Sequence, residues 1–93
     1  MSVVKAEDVR KFIISHLDDA FKDIGVTEDA ITDDFDLMKM GIIDSIGLIH
    51  LIGAIEDHFN IEFNFVAMDA KSITIMGPLC RYIEERAQSR SSS

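Results

Sequence analysis

The side chains with the most chemical potential lie together in one dipeptide, Asp44-Ser45. A serine hydroxyl can act as a nucleophile when a neighbouring base activates it. Hydrolase chemistry is not supported, because the stretch from Ile43 to Gly47 lacks the first glycine of a nucleophile elbow and no strand is predicted before it. The simplest structural interpretation is that Asp44 or Ser45 caps the helix that follows. That interpretation also places Ser45 at an exposed corner of the chain, where another protein can reach it.

The acidic stretch upstream of this dipeptide suggests calcium binding at first sight, since acids crowd between Asp29 and Asp36. The spacing does not fit a calcium-binding loop. Asp34 stands where the glycine of the tight turn is needed, and Met40 stands where the bidentate glutamate is needed. The sequence therefore predicts no calcium site.

The histidines and the single cysteine do not combine into a metal site either. His50 and His58 are eight residues apart in the chain, which on a helix separates them by about 12 Å, too far to share one metal ion. We expect them and His16 to be surface or boundary residues. Cys80 cannot form an internal disulfide, and we expect it to be a small buried residue on a helix.

Helical periodicity dominates the rest of the chain. Apolar residues at three- and four-residue steps predict a first helix from about Lys5 to Ile24, ended by Gly25. A long loop over residues 26–44 follows, rich in turn formers and acids. Four apolar residues are expected to anchor it to the core: Ile31, Phe35, Leu37 and Met38.

The second half of the chain predicts two more main helices. The second helix begins at Ser45 or beside it, carries Ile46, Ile49, Ile52, Ile55 and Phe59 at helical spacing, and ends near Asn60. A short helical turn is expected around residues 65–69, and Thr74 is expected to cap a last helix with Pro78 in its first turn or just beyond it. The predicted fold class is all-α, a small bundle of three main helices plus one short helix, with a long loop between helices one and two.

Composition limits the classes of partner. The chain has 93 residues and a net charge of −8, so we expect one domain over residues 1–87, a disordered tail over residues 88–93 and a monomer. Nucleic acid and anionic membranes would be repelled, whereas basic patches on other proteins would be attracted. No apolar run could span a membrane and no secretory signal is evident, so a cytoplasmic location is expected.

In this setting the chain resembles the acyl carrier and peptidyl carrier protein family. The resemblance covers Lys5 to Arg86 and is sharpest from Gly41 to Ile61. The residues that carry it are Met40-Gly41-Ile42-Ile43-Asp44-Ser45-Ile46, followed by Ile49, Leu51, Ile52, Ile55, Glu56, Asp57 and Phe59.

The resemblance implies a role for several residues. Ser45 would receive a covalent 4′-phosphopantetheine arm from a phosphopantetheinyl transferase, and Asp44 would help to position coenzyme A or its metal in that enzyme. Ile46 would dock into partner enzymes, and Glu56 and Asp57 would keep the acidic pair of the same partner-recognition surface. His50, with Gly47, stands where housekeeping carriers tend to show an acidic residue, so this surface, which would include His50, is expected to be altered. The protein itself would be a non-catalytic carrier of acyl or aminoacyl thioesters for lipid, polyketide or related biosynthesis.

The sequence leaves three functional hypotheses. Fatty-acid-type carriers commonly have one residue between the glycine and Asp-Ser, whereas Ile42 and Ile43 make two here. This spacing is more similar to D-alanyl, peptidyl and other specialised free-standing carriers. The alternatives are an ordinary carrier of fatty-acid synthesis and, from a different class, an unmodified helical interaction module in which Ser45 only caps a helix.

Overall fold

The computed structural model describes residues 4–63 and 72–91, and within these residues the secondary structure is helical. The α-helices in this part of the chain are α1 (Ala6–His16), α2 (Asp18–Ile24), α3 (Ser45–Phe59) and α4 (Met76–Ser91). Two single turns of 3-10 helix lie at Glu28–Ala30 and Ser72–Thr74. No strand forms among the described residues, and the predicted all-α fold class is confirmed.

The predicted first helix is interrupted at one residue. Leu17 has φ −104° and ψ 18°, outside the helical region, so regular helix geometry stops at His16 and restarts at Asp18. The hydrogen bonds nevertheless continue, since the N–H of Leu17 donates to the carbonyl of Ile13 and the N–H of Phe21 donates to that of Leu17, each at 3.0 Å. The interruption is therefore a bend, and α2 ends as predicted at Gly25, with φ 84°.

One hydrophobic core joins all four helices. Each fully buried branched aliphatic side chain stabilises the fold by about 1.5–3 kcal/mol relative to an exposed one. The buried residues supplied by the helices are Val9, Ile13, Phe21, Leu51, Ile52, Ile55, Met76, Leu79, Cys80, Ile83 and Ala87.

The long loop between α2 and α3 is fastened to the chain that precedes α4. The N–H of Leu37 donates to the carbonyl of Thr74 at 2.8 Å, and the N–H of Met76 donates to the carbonyl of Phe35 at 2.9 Å. Ile31, Phe35 and Leu37 are buried as predicted, while Met38 is only half-buried. These contacts fix the position from which the chain enters α3.

The start of α4 differs slightly from the prediction. Thr74 lies in the 3-10 turn and α4 begins two residues later, although Pro78 falls in its first turn as predicted. No described helix combines the length and the hydropathy needed to cross a bilayer. The short helix predicted at residues 65–69 lies outside the described residues. The predicted domain boundary at residue 87, with a disordered tail beyond it, stays a prediction.

Candidate functional site

The chain reaches Ser45 through a tight turn at Gly41. Gly41 has φ +78°, a left-handed conformation that side chains other than glycine rarely adopt. After the turn, the N–H groups of Ile42 and Ile43 both donate to the carbonyl of Leu37, at 2.9 and 3.2 Å. Ile42 is buried in the core. The two isoleucines before Asp44 therefore hold the turn against the core and present the following residues at the surface.

Asp44 is the N-cap of α3. Its carboxylate oxygen accepts a hydrogen bond from the backbone N–H of Gly47 at 2.7 Å, and its carbonyl accepts one from Leu48 at 2.9 Å. The sequence allowed either Asp44 or Ser45 as the cap, and the structure assigns this role to Asp44. Ser45 is then the first residue of the helix, it is exposed, and its hydroxyl makes no hydrogen bond with any described residue.

The position of Ser45 also suits a negatively charged substituent. The backbone dipoles of an α-helix produce a partial positive charge at its N-terminus, and α3 is 15 residues long. No acidic side chain lies within its first turn, but the Asp44 carboxylate stands at the N-cap and accepts from the Gly47 N–H. A phosphodiester on Ser45 would therefore meet a favourable field from the helix dipole, opposed by the charge of Asp44.

A surface cleft lies against the turn that precedes α3. Its volume is about 420 Å³, and it is lined by Gly41, Ile42, Ile43, Asp44 and Gly47. Two of the lining residues are glycines, so backbone forms part of the wall. Ser45 follows Asp44 in the chain but is not among the residues that line the cleft.

The exposed face of α3 carries apolar residues next to Ser45. Ile46 and Ile49 are 65% and 64% exposed, whereas Leu51, Ile52 and Ile55 are buried. The three- and four-residue spacing predicts Ile49 in the same apolar series as Ile52 and Ile55, so its exposure is not predicted by that spacing. A helical wheel would have found it, because at about 100° per residue Ile46 and Ile49 lie away from the centre of the buried stripe.

The predicted partner-recognition residues are not all in one place. Asp44 and Ile46 flank Ser45, and His50 is exposed one turn further along α3. Asp57 is exposed near the other end of the helix. Glu56 is half-buried, and its carboxylate accepts a hydrogen bond from the N–H of Phe63 at 2.8 Å. Glu56 thus has a structural contact that the sequence did not predict.

The remaining histidines pack on an aromatic side chain. The ring of Phe12 stacks on His58 with a centroid distance of 4.4 Å and on His16 with a distance of 5.7 Å. Both histidines occupy the last turns of their helices. No group of three or more potential metal ligands occurs among residues 4–63 and 72–91.

Cys80 is buried on α4, as predicted. Its thiol lies 3.7 Å from the sulfur of Met76, within the core. Burial is the main cause that raises the pKa of the Cys80 thiol to about 12. The thiol is therefore protonated at neutral pH, and it is shielded from reagents.

Comparison with known families identifies the kind of site. A family model described as "Phosphopantetheine attachment site" matches residues 15–75, more than half of the chain. A search of curated proteins and a search of solved structures each found no match. The matched segment includes the fastened loop, the glycine turn, Ser45 and the whole of α3. The chain therefore belongs to the phosphopantetheine-attachment family of carrier domains, which hold 4′-phosphopantetheine covalently on a serine.

Proposed function

We propose that Ser45 is the serine that carries the phosphopantetheine arm. The family match spans three serines, Ser15, Ser45 and Ser72. Ser15 lies inside α1, near its C-terminal end, and Ser72 is half-buried in a 3-10 turn. Ser45 alone among these three begins a long helix. The observation that carries the proposal is that Asp44 takes the capping role and leaves the exposed Ser45 hydroxyl without a hydrogen bond to the described residues.

The chemistry divides between the carrier and its partners. When bound, the arm supplies a terminal thiol that holds an acyl or aminoacyl group as a thioester. In the transfer, the Ser45 oxygen forms a bond to the phosphorus of coenzyme A that bears the pantetheine, the phosphoanhydride bond of coenzyme A breaks so that its nucleotide half leaves, and the serine proton passes to a base in the transferase. Carrier domains are generally non-catalytic, which agrees with the lack of a histidine or lysine beside Ser45 in the sequence.

Carrier domains interact with phosphopantetheinyl transferase and with biosynthetic enzymes. For this chain we propose that the loading and transferring enzymes recognise Asp44, Ile46, His50, Glu56 and Asp57. The net charge of −8 would raise the rate of encounter with basic docking patches.

A specialised pathway is the proposed setting. Two residues, Ile42 and Ile43, separate Gly41 from Asp44, and Ile42 is buried while Ile43 is half-buried. The additional residue, relative to fatty-acid-type carriers, therefore lies in the packed turn that directly precedes Asp44 and Ser45. A turn of this length presents the serine differently from the shorter turn of ordinary fatty-acid carriers, so their enzymes should accept this chain poorly.

The test of the attachment site is intact-mass measurement after co-expression with a promiscuous phosphopantetheinyl transferase. The wild type should gain the mass of one phosphopantetheine group, and Ser45→Ala should gain none. Ser15→Ala and Ser72→Ala are matched controls that should gain the full mass. A wild type without a mass gain, or a Ser45→Ala variant that gains as much as the wild type, would sink the proposal.

A second measurement separates the specialised role from fatty-acid synthesis. The loaded protein should be a poor substrate for malonyl transfer and chain elongation by fatty-acid enzymes. Full acceptance by those enzymes would favour the housekeeping carrier. The unmodified interaction module makes a different prediction, since Ser45→Asn would then leave function intact, whereas a carrier with this substitution would be inactive and still folded.

A further inference from the structure

A hydrogen-bonded turn over residues 36–41 precedes the attachment site, and the side chain of Asp36 caps it. The Oδ1 atom of Asp36 accepts hydrogen bonds from the N–H groups of Met38 at 3.1 Å and Lys39 at 3.0 Å. The Asp36 carbonyl accepts a further bond from the N–H of Met40 at 3.0 Å. Short acidic side chains close turns in this way because they reach backbone N–H groups two and three residues ahead.

We propose that Asp36 is a positioning residue for attachment of the arm: its carboxylate fixes the 36–41 turn, and the turn fixes where the chain presents Ser45. The inference rests on the proposed function, because it takes Ser45 as the serine that receives the arm. It adds a residue nine positions earlier in the chain. Asp36 acts through the backbone, and the transfer step itself is left to Ser45 and the transferase.

The backbone of Leu37 connects the turn to the attachment site. The carbonyl of Leu37 accepts hydrogen bonds from the N–H groups of Ile42 and Ile43 at 2.9 and 3.2 Å. The next residue, Asp44, is the N-cap of α3. Leu37 and Ile42 are both buried. The position of the Leu37 carbonyl therefore decides where α3 begins and where its first residue lies.

The other end of the turn is tied to the chain that precedes α4. Asp36 and Ile75 form an isolated antiparallel β-bridge, in which the N–H of Leu37 donates to the carbonyl of Thr74 at 2.8 Å. Asp36 therefore joins a segment that is fixed by this bridge to a turn that its own carboxylate closes. Ser45 is held at the end of this series of contacts.

Loss of the Asp36 carboxylate should loosen the turn without unfolding the protein. The side chain is only half-buried, and the neighbouring residues Phe35 and Leu37 remain anchored in the core. A looser turn presents Ser45 to the transferase in the productive position for a smaller fraction of the time. The apparent affinity falls in proportion to that fraction, whereas the chemical step after productive binding is unchanged. KM should therefore rise and kcat should change little.

Two substitutions separate the position of the Asp36 oxygen from its charge. Asp36→Asn removes the charge and keeps an oxygen that can accept from Met38 and Lys39, and asparagine is as good a capping residue as aspartate. Asp36→Glu keeps the charge but moves the carboxylate one methylene further from the backbone, and glutamate is not a preferred capping residue. A positioning role predicts that Asp36→Asn resembles the wild type and that Asp36→Glu resembles Asp36→Ala.

The experiment uses the promiscuous transferase with coenzyme A as the probe and measures KM and kcat for the apo protein. Asp36→Ala should raise KM about threefold or more with little change in kcat, and Asp36→Asn should recover most of the wild-type affinity. Ile83→Val, a buried substitution on α4, controls for a general loss of stability and should leave KM unchanged. Thermal unfolding checks that each variant is folded, and Asp36→Glu carries the comparison should Asp36→Ala not fold.

Amide hydrogen exchange of the apo protein measures the opening of the turn directly. In Asp36→Ala the N–H groups of Ile42 and Ile43 should exchange about tenfold faster than in the wild type, because loss of a hydrogen bond to a charged acceptor shifts a local opening equilibrium by about this factor. The amides within α1 should keep their rates. Faster exchange confined to the turn and the residues after it would show that the loss is local.

Three results would overturn the inference while leaving the mass gain on Ser45 intact. The first is unchanged exchange of Ile42 and Ile43 in Asp36→Ala, and the second is an unchanged KM although their exchange is faster. The third is a rise of KM in Asp36→Asn as large as that in Asp36→Ala, because a partner would then recognise the charge itself. A wild type that gains no mass would overturn the proposed function and this inference with it.

Discussion

The Asp44 carboxylate accepts a hydrogen bond from the Gly47 backbone N–H at 2.7 Å. Helix N-termini leave backbone N–H groups unsatisfied, and a side chain at the N-cap normally accepts from one of them. Because Asp44 does this, the adjacent serine hydroxyl is not needed for the stability of α3. Asp44 thus caps the helix, while the Ser45 hydroxyl is left for the proposed attachment of the arm. The two roles can therefore be tested by separate substitutions.

Removing the cap should therefore lower stability, and removing the serine should not. Asp44→Ala should reduce the free energy of unfolding by about 1 kcal/mol, because the Gly47 N–H loses its acceptor. Ser45→Ala should change it by less than about 0.5 kcal/mol, as is usual for an exposed substitution. Urea unfolding followed by circular dichroism measures both values.

The matched control is Asp44→Asn, whose amide oxygen can still accept from Gly47. It should retain most of the stability that Asp44→Ala loses. Should Ser45→Ala destabilise the fold as much as Asp44→Ala, then Ser45 shares the capping role and the separation of structure from chemistry is incorrect.

The arm should provide the only reactive thiol of the native carrier. The chain has a single cysteine, Cys80, which is buried and has a pKa raised to about 12. A thiol-disulfide reagent at neutral pH should therefore react with the native apo protein slowly, and with the modified protein at one fast site. Fast reaction of the native apo protein would show that Cys80 is accessible.

The same pKa shift predicts a loss of stability in alkali. The thiol of an unfolded chain ionises near its ordinary pKa of about 8.5, whereas the folded thiol stays protonated up to about 12. Below the lower value neither state ionises and the contribution is fully present. As pH rises between the two values the unfolded state releases its proton first, so the free energy of unfolding falls. The decline, measured by urea unfolding, should be smaller in Cys80→Ala.

Structural features that depend on a local sequence pattern could be predicted, whereas features that depend on contacts between distant parts of the chain could not. Gly25 and Asn60 end their helices in left-handed conformations, and both were found because few residues tolerate that geometry. The start of α3 was found to within one residue for a similar reason. The bend at Leu17 was missed, since the apolar spacing continues through it.

It was harder to predict which residues of the site are exposed and which make contacts within the protein. Steps of three and four residues alone put Ile46 and Ile49 in one series with Ile52, and only their angular positions on a helical wheel separate them from the buried stripe. The contact between Glu56 and Phe63 depends on the path of the chain after Asn60, and no local pattern encodes that path. Such contacts needed the folded structure.

Glu56 and Asp57 should respond differently to mutation although they are adjacent acids. Glu56→Ala should lower the free energy of unfolding by about 1–3 kcal/mol, because the Phe63 N–H loses its carboxylate acceptor. Glu56→Gln retains a carbonyl acceptor and should cost less. Asp57→Asn, at an exposed position, should be close to neutral.

Thermal unfolding of the three variants measures these differences. Equal stability of Glu56→Ala and Asp57→Asn would show that the contact with Phe63 contributes nothing. The same variants also test the partner-recognition proposal. Glu56→Gln removes the charge but keeps an acceptor for the Phe63 N–H, so a loss of activity in Glu56→Ala is attributed to recognition only if Glu56→Gln loses activity too.

Two helical glycines should have opposite effects when replaced by alanine. A Cβ on Gly77 would lie 2.8 Å from the Cβ of Asp33 and 2.9 Å from its carbonyl oxygen, and the Gly77 N–H donates to that same carbonyl at 2.8 Å. Backbone must therefore move, and Gly77→Ala should destabilise the fold by about 1–3 kcal/mol.

Gly53 on α3 is the matched case without a neighbour, since nothing lies within 4 Å of a Cβ added there. Alanine has a higher helix propensity than glycine and restricts the unfolded chain, so Gly53→Ala should stabilise the protein by about 0.5–1 kcal/mol. Differential scanning calorimetry should show a lower Tm for Gly77→Ala and a higher one for Gly53→Ala. Equal Tm values would mean that the loop at Asp33 shifts away from α4 and makes room for the added methyl group. The hydrogen bonds of this loop would then restrain it less than the structure indicates.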